Sequence, residues 1–128
     1  GVVQRTQIEV PEHIYLGNLT YGSQTKPTGD DRIYINNTGN VNVTVTPELV
    51  DNTDIIFKFL FFTKRLSGSS YDYKKVGDFS VDINASKTSG GVNDEYIYAK
   101  LDLRNFTGNT NQTIIGYKAD VRFIATAK

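Results

Sequence analysis

Alternation with period two constrains this chain more than any other feature. Ile33 and Ile35 alternate within residues 32–37, and Val41, Val43 and Val45 alternate with Asn42, Thr44 and Thr46. Phe79, Val81 and Ile83 alternate with Ser80, Asp82 and Asn84, and Ile97, Ala99, Leu101 and Leu103 with Tyr96, Tyr98, Lys100 and Asp102. The longest series runs Ile115, Tyr117, Ala119, Val121, Phe123, Ala125. Such patterns set one face of a strand on a core and the other in water. No eleven-residue window carries the i, i+3, i+4, i+7 stripe of an amphipathic helix. Turn signals fall between the alternating runs: Pro27-Thr28-Gly29-Asp30, Thr38-Gly39-Asn40, Ser67-Gly68-Ser69-Ser70, Ser89-Gly90-Gly91 and Gly108-Asn109. With segments near 2–10, 13–19, 55–62 and 71–76 added, about nine strands are expected. Short strands with Gly/Asn turns read as one all-β domain, an antiparallel β-sandwich or jelly roll. Residues 55–62 are apolar on both faces except at Lys58, the pattern of a strand buried on both sides or covered by a loop, with Lys58 snorkelling to an edge or, less simply, serving as the amine of an isopeptide bond.

Composition excludes several functions. Fourteen basic and fourteen acidic residues cancel, so no basic field gathers nucleic acid or anionic lipid. Cysteine is absent and histidine occurs once, as His13, which removes disulfides, thiolate metal sites and two-histidine metal motifs. No apolar run approaches the ~20 residues of a membrane-spanning helix. The chain starts Gly1-Val2-Val3 and contains no Met, which leads us to expect removal of a secretory signal peptide.

The sharpest motif is the N-glycosylation sequon N-x-[ST], found at Asn18, Asn36, Asn42, Asn84, Asn105 and Asn111. With 11 Asn and 21 Ser plus Thr in 128 residues, chance placement yields about two. Asn42 and Asn84 lie on the polar phase of their strands, while Asn105 and Asn111 lie in a turn region. N-linked glycans are therefore expected, and with them export to an extracellular or cell-surface location. Unmodified sequons remain the plainer alternative, since β-proteins favour Thr and turns favour Asn.

Catalysis has little support, and the chain is expected not to be an enzyme. His13 stands beside Pro11 and Glu12 with no G-x-S-x-G elsewhere, so no oriented nucleophile–base pair is visible. The acidic groups Asp30-Asp31, Asp51/Asp54 and Asp94-Glu95 read as turn caps. Residues 51–54 form the best calcium candidate, without the spacing of an EF-hand, and no metal or cofactor beyond glycans is expected. Tyr71, Tyr73, Tyr96 and Tyr98 suit either stacking on sugars or ordinary cross-strand pairing.

One stretch resembles a known family. Ile14-Tyr15-Leu16-Gly17-Asn18-Leu19, a polar loop, and then Ile33-Tyr34-Ile35-Asn36-Asn37-Thr38-Gly39-Asn40-Val41-Asn42-Val43-Thr44-Val45 resembles the I-x-F-G-x-L … I-x-N-T-G-N-x-x-V-x-V opening of small secreted archaeal surface proteins. These are similar to the camelysin/TasA-like fibre subunits of biofilms, archaeal bundling pili and threads. The match covers roughly residues 14–45 and departs at Leu16, where Phe is usual. It implies a jelly-roll subunit whose N-terminal strand fills a groove in its neighbour, building a head-to-tail filament. The residues themselves allow this. Val2, Val3, Thr6, Ile8 and Val10 belong to a β-compatible stretch, with Val2, Ile8 and Val10 on one phase. Pro11 cannot donate a ladder bond and ends it. Residues 1–12 are thus expected as donor strand and hinge, and residues 13–128 as the sandwich body. Burying the three aliphatic side chains contributes about 5–9 kcal/mol before ordering costs. Pairing of this strand within its own sheet is the competing expectation.

The expected function is that of an exported, glycosylated filament subunit whose partner is itself, serving adhesion, bundling or biofilm formation. The alternative is a non-polymerising module of a cell envelope or virion that recognises glycans through tyrosines.

Overall fold

A computed structural model describes residues 4–11, 16, 19–20, 22–25, 32–50, 55–64, 72–86, 93–106, 113–114 and 119–128. Ten strand segments occur among them: β1 (Ile8–Glu9), β2 (Leu19–Thr20), β3 (Arg32–Asn37), β4 (Val43–Leu49), β5 (Leu60–Lys64), β6 (Lys74–Lys75), β7 (Val81–Ile83), β8 (Asn93–Leu101), β9 (Thr113–Ile114) and β10 (Val121–Ala127). The fold is all-β, and every pairing is antiparallel. No α-helix occurs among the described residues. No helix there is long and apolar enough to cross a membrane.

Alternation in the sequence becomes alternation of burial. In β3, Ile33, Ile35 and Asn37 are buried while Arg32 and Tyr34 are exposed. In β8, Ile97, Ala99 and Leu101 point inward, and in β4 Val43 and Val45 do so. The strands assemble into a five-stranded sheet ordered β1-β3-β8-β5-β6, a three-stranded sheet ordered β10-β4-β7 and a small β2-β9 ladder. One apolar core lies between the two larger sheets and is β-sandwich-like. Phe62 of β5 meets Phe123 of β10 and Phe79, with ring centroids 6.1 Å and 5.7 Å apart. Such aromatic contacts add about 0.5–1.5 kcal/mol beyond the area they bury.

The long apolar run departs from expectation. Residues 55–62 are not one doubly buried strand: Ile55–Phe59 forms a 3-10 turn, and β5 begins only at Leu60. The turn puts Ile56 and Phe57 into the core and leaves Ile55 and Lys58 outside. A continuous apolar run has no period of its own, so it does not distinguish strand from tight helix. Exposure of Lys58 also removes the buried amine that an isopeptide bond requires. Likewise, of the expected strand at 71–76, whose first residue lies outside the described residues, only β6 forms, followed by a 3-10 turn at Val76–Asp78.

Candidate strand-docking site

The connection from β3 to β4 is built around a buried asparagine. Asn37 continues the inward phase of Ile33 and Ile35 and is fully buried. Its Nδ2 donates to the carbonyls of Val41 and Ile83, at 2.9 Å and 3.1 Å, and its Oδ1 accepts the Gly39 N–H at 3.0 Å. One side chain therefore closes the turn and ties it to β7 in the facing sheet. A buried amide with all three of these bonds satisfied is stabilising, whereas its loss takes the donor from two backbone carbonyls.

This turn carries the N-terminal segment on its outer side. Thr38 and Gly39 both donate their N–H groups to the Gln7 carbonyl, at 3.0 Å and 3.1 Å. The Asn40 N–H donates to the Arg5 carbonyl at 3.0 Å, and the Arg5 N–H donates back to Asn40 Oδ1 at 2.6 Å. β1 then pairs with the end of β3, Ile8 opposite Asn37 and Glu9 opposite Asn36. Gly39 permits this approach. A Cβ there would fall against the Arg5 carbonyl oxygen and 2.9 Å from the Gln7 nitrogen. The glycine is thus required by a close backbone contact rather than by an unusual φ.

The seat holds backbone far better than side chains. Ile8 is half-buried, Thr6 is exposed and Val10 is 41% exposed. Val2 and Val3 lie outside the described residues, as do Glu12 and His13. The burial of three aliphatic side chains expected of this segment is not reached on its own sheet.

Three sequon asparagines, Asn42, Asn84 and Asn105, are exposed, and Asn36 is half-buried on the outer face of the five-stranded sheet. Asn42 uses its Oδ1 to accept the Ala85 N–H at 2.8 Å, which places the Asn42 and Asn84 sequons side by side. Asn18 and Asn111 lie outside the described residues, as does the calcium candidate at 51–54. Among the described residues no group of three or more His, Asp or Glu side chains is placed to hold a metal. On the outer face Tyr34 and Tyr96 pack edge to face, centroids 4.3 Å apart, and Lys100 Nζ sits 4.2 Å from the Tyr73 ring centroid.

Sequence reasoning gives Asn37 no role of its own: it enters only as the middle residue of the Asn36 sequon and within the Asn37-Thr38-Gly39-Asn40 stretch of the resemblance. Its position on the core phase of β3 is the signal that marks it. The chain matches no family model, no curated protein and no solved structure.

Proposed function

We propose that the protein is an exported structural subunit that assembles into extracellular filaments by exchanging its N-terminal segment with the next copy. The observation that carries this reading is the seat at residues 37–40, which holds Arg5 to Glu9 by main-chain bonds and leaves Val10 exposed. A segment bound through its backbone at a sheet edge makes the same bonds whether it comes from its own chain or from another. Exchange therefore costs little in contacts, and a neighbour's groove that covers Ile8 and Val10 makes it favourable. A head-to-tail contact of this kind does not close on itself and propagates as a fibre. The body takes the role of a jelly-roll subunit, in keeping with the resemblance of residues 14–45 to biofilm-fibre and pilus proteins. N-linked glycans on Asn36, Asn42, Asn84 and Asn105 decorate its surface, and Asn18 and Asn111 are further acceptors.

Electron microscopy of the native material, with its intact mass, tests the proposal. Fibres from the full chain, none from residues 11–128, and a mass above 14.3 kDa are expected. A folded 11–128 chain that still polymerises overturns strand exchange. A second reading, glycan recognition by a non-polymerising envelope or virion module, draws on Tyr34, 40% exposed beside Tyr96. Sugar binding by a monomer that disappears in Tyr34→Ala would favour it.

A further inference from the structure

A second sheet edge points to a different contact. β10 pairs with β4 over seven residues in unbroken register, from Val121 opposite Leu49 to Ala127 opposite Val43. No strand lies on its other side among the described residues. The Lys128 N–H donates to the Asn42 carbonyl and the Val50 N–H to the Asp120 carbonyl, so even-numbered residues turn their backbone groups toward β4. The N–H and C=O groups of Val121, Phe123, Ala125 and Ala127 consequently face outward. Of the devices that blunt an edge, β10 carries one charge, Arg122, which pairs with Glu48 of β4 at 3.4 Å; it has no proline, no bulge and no lysine. Ile124 is 38% exposed on the outer face, and Val121, Phe123 and Ala125 are only half-buried beneath.

We propose that β10 pairs with β10 of a second copy, antiparallel and about a two-fold axis through Ile124. Parity and charge both select this register. With Ile124 opposite Ile124, the outward-facing odd residues form the hydrogen-bonded pairs, Phe123 with Ala125 and Val121 with Ala127. Asp120 then stands opposite Lys128, whose Nζ also holds Asp82 at 2.8 Å, and Arg122, paired with Glu48 at 3.4 Å, stands opposite Thr126. Centring on Arg122 opposes that arginine to itself. Centring on Ala125 sets Arg122 against Lys128, and centring on Phe123 loses the Asp120–Lys128 pair. Like charges directly opposed across strands are destabilising, and opposite charges stabilise. The contact uses the three-stranded sheet and is independent of the exchange of β1, which belongs to the other sheet.

Because the chain contains no cysteine, single cysteines report the register in the full-length protein. Position 124 becomes a non-hydrogen-bonded pair with Cα atoms about 4.5 Å apart, within disulfide range. Copies of residue 122 lie about 14 Å apart across the same axis. Under mild oxidation, Ile124→Cys is expected to form disulfide dimers at least about tenfold faster than Arg122→Cys or Thr126→Cys alone. Mixing the Arg122→Cys and Thr126→Cys chains is expected to give mixed dimers. Adding Ala125→Pro, which removes an outward N–H, should abolish cross-linking of Ile124→Cys. Equal rates at 122, 124 and 126, or dimers that survive Ala125→Pro, overturn the pairing. So does preferential capture of the Ile124→Cys thiol by a Thr6→Cys chain, which would mark the edge as a seat for a neighbour's N-terminal segment. Fibre formation by the Ala125→Pro chain is expected to persist, which separates this contact from filament assembly.

Discussion

The two sheets present contrasting edges. At the β3 edge a turn rich in asparagine binds the chain's own N-terminal segment through three main-chain bonds and the Asn40 side chain, ahead of the β1 ladder. At the β10 edge seven residues lie with half their backbone groups unclaimed among the described residues. The first edge is specific, because Asn37 and Gly39 shape it for one backbone track. The second is permissive, because its residues are small or apolar apart from Arg122, whose charge restricts register rather than blocking approach. An edge with built-in side-chain bonds selects its occupant, and a bare one is selected only by register and charge.

Substitutions in each edge break or sharpen this contrast, and the largest effect is expected at Asn37. Asn37→Ala takes the donor from the Val41 and Ile83 carbonyls and leaves the Gly39 N–H to the Gln7 carbonyl alone. It should cost about 3 kcal/mol in chemical denaturation and unseat residues 5–9 as well. On the bare edge, Ile124→Pro removes a ladder bond to β4 and should cost about the same, whereas Ala125→Pro removes only an outward N–H. At concentrations where copies do not pair, a difference of at least about 2 kcal/mol between these neighbours is expected. Equal costs in that monomer would mean that Ala125 donates to a strand of its own chain. Gly39→Ala is expected to cost about 1–2 kcal/mol by forcing the Arg5 carbonyl away. Amide exchange at Thr38, Gly39 and Asn40 should rise, with β4 and β10 unchanged.

The smallest expected effect is electrostatic. Asp82 on β7 accepts from Lys128 Nζ at 2.8 Å and from Thr44 Oγ1 at 2.7 Å, and these bonds, the lysine's first, hold its carboxyl below the usual carboxylate range. Asp102 is lowered in the same sense, chiefly by its bonds from Arg104. A carboxylate depressed in the folded state contributes stability at pH values above its unfolded pKa, and that contribution disappears as pH falls through the lower folded value. Thermal stability should therefore be level through neutrality and decline below about pH 4. Asp82→Asn and Asp102→Asn together should shallow that decline. The Asp82 pair is solvent-screened, so high salt should mask its part.

Period two makes β3, β4, β7, β8 and β10 legible, since in each the apolar phase is the less exposed one. It fails at residues 55–59, where both phases are apolar and packing alone decides between strand and turn. The seat is harder still. Thr38-Gly39-Asn40 is visible as a turn, but its contact with Arg5 and Gln7 joins residues about thirty or more apart, and no local pattern encodes that approach. Asn37 is hidden by the sequon motif that overlaps it, although its inward phase singles it out. The bare edge of β10 follows from sheet order, which alternation does not specify.

Exchange of the N-terminal segment is tested most directly by cysteines at the paired positions 9 and 36. Glu9→Cys and Asn36→Cys are placed on separate chains, mixed under assembling conditions and oxidised. Disulfide dimers containing one chain of each kind, recovered from the fibres and absent from either chain alone, are the expected result. Fibres without mixed dimers, together with intramolecular disulfide formation when both cysteines share one chain, would contradict it.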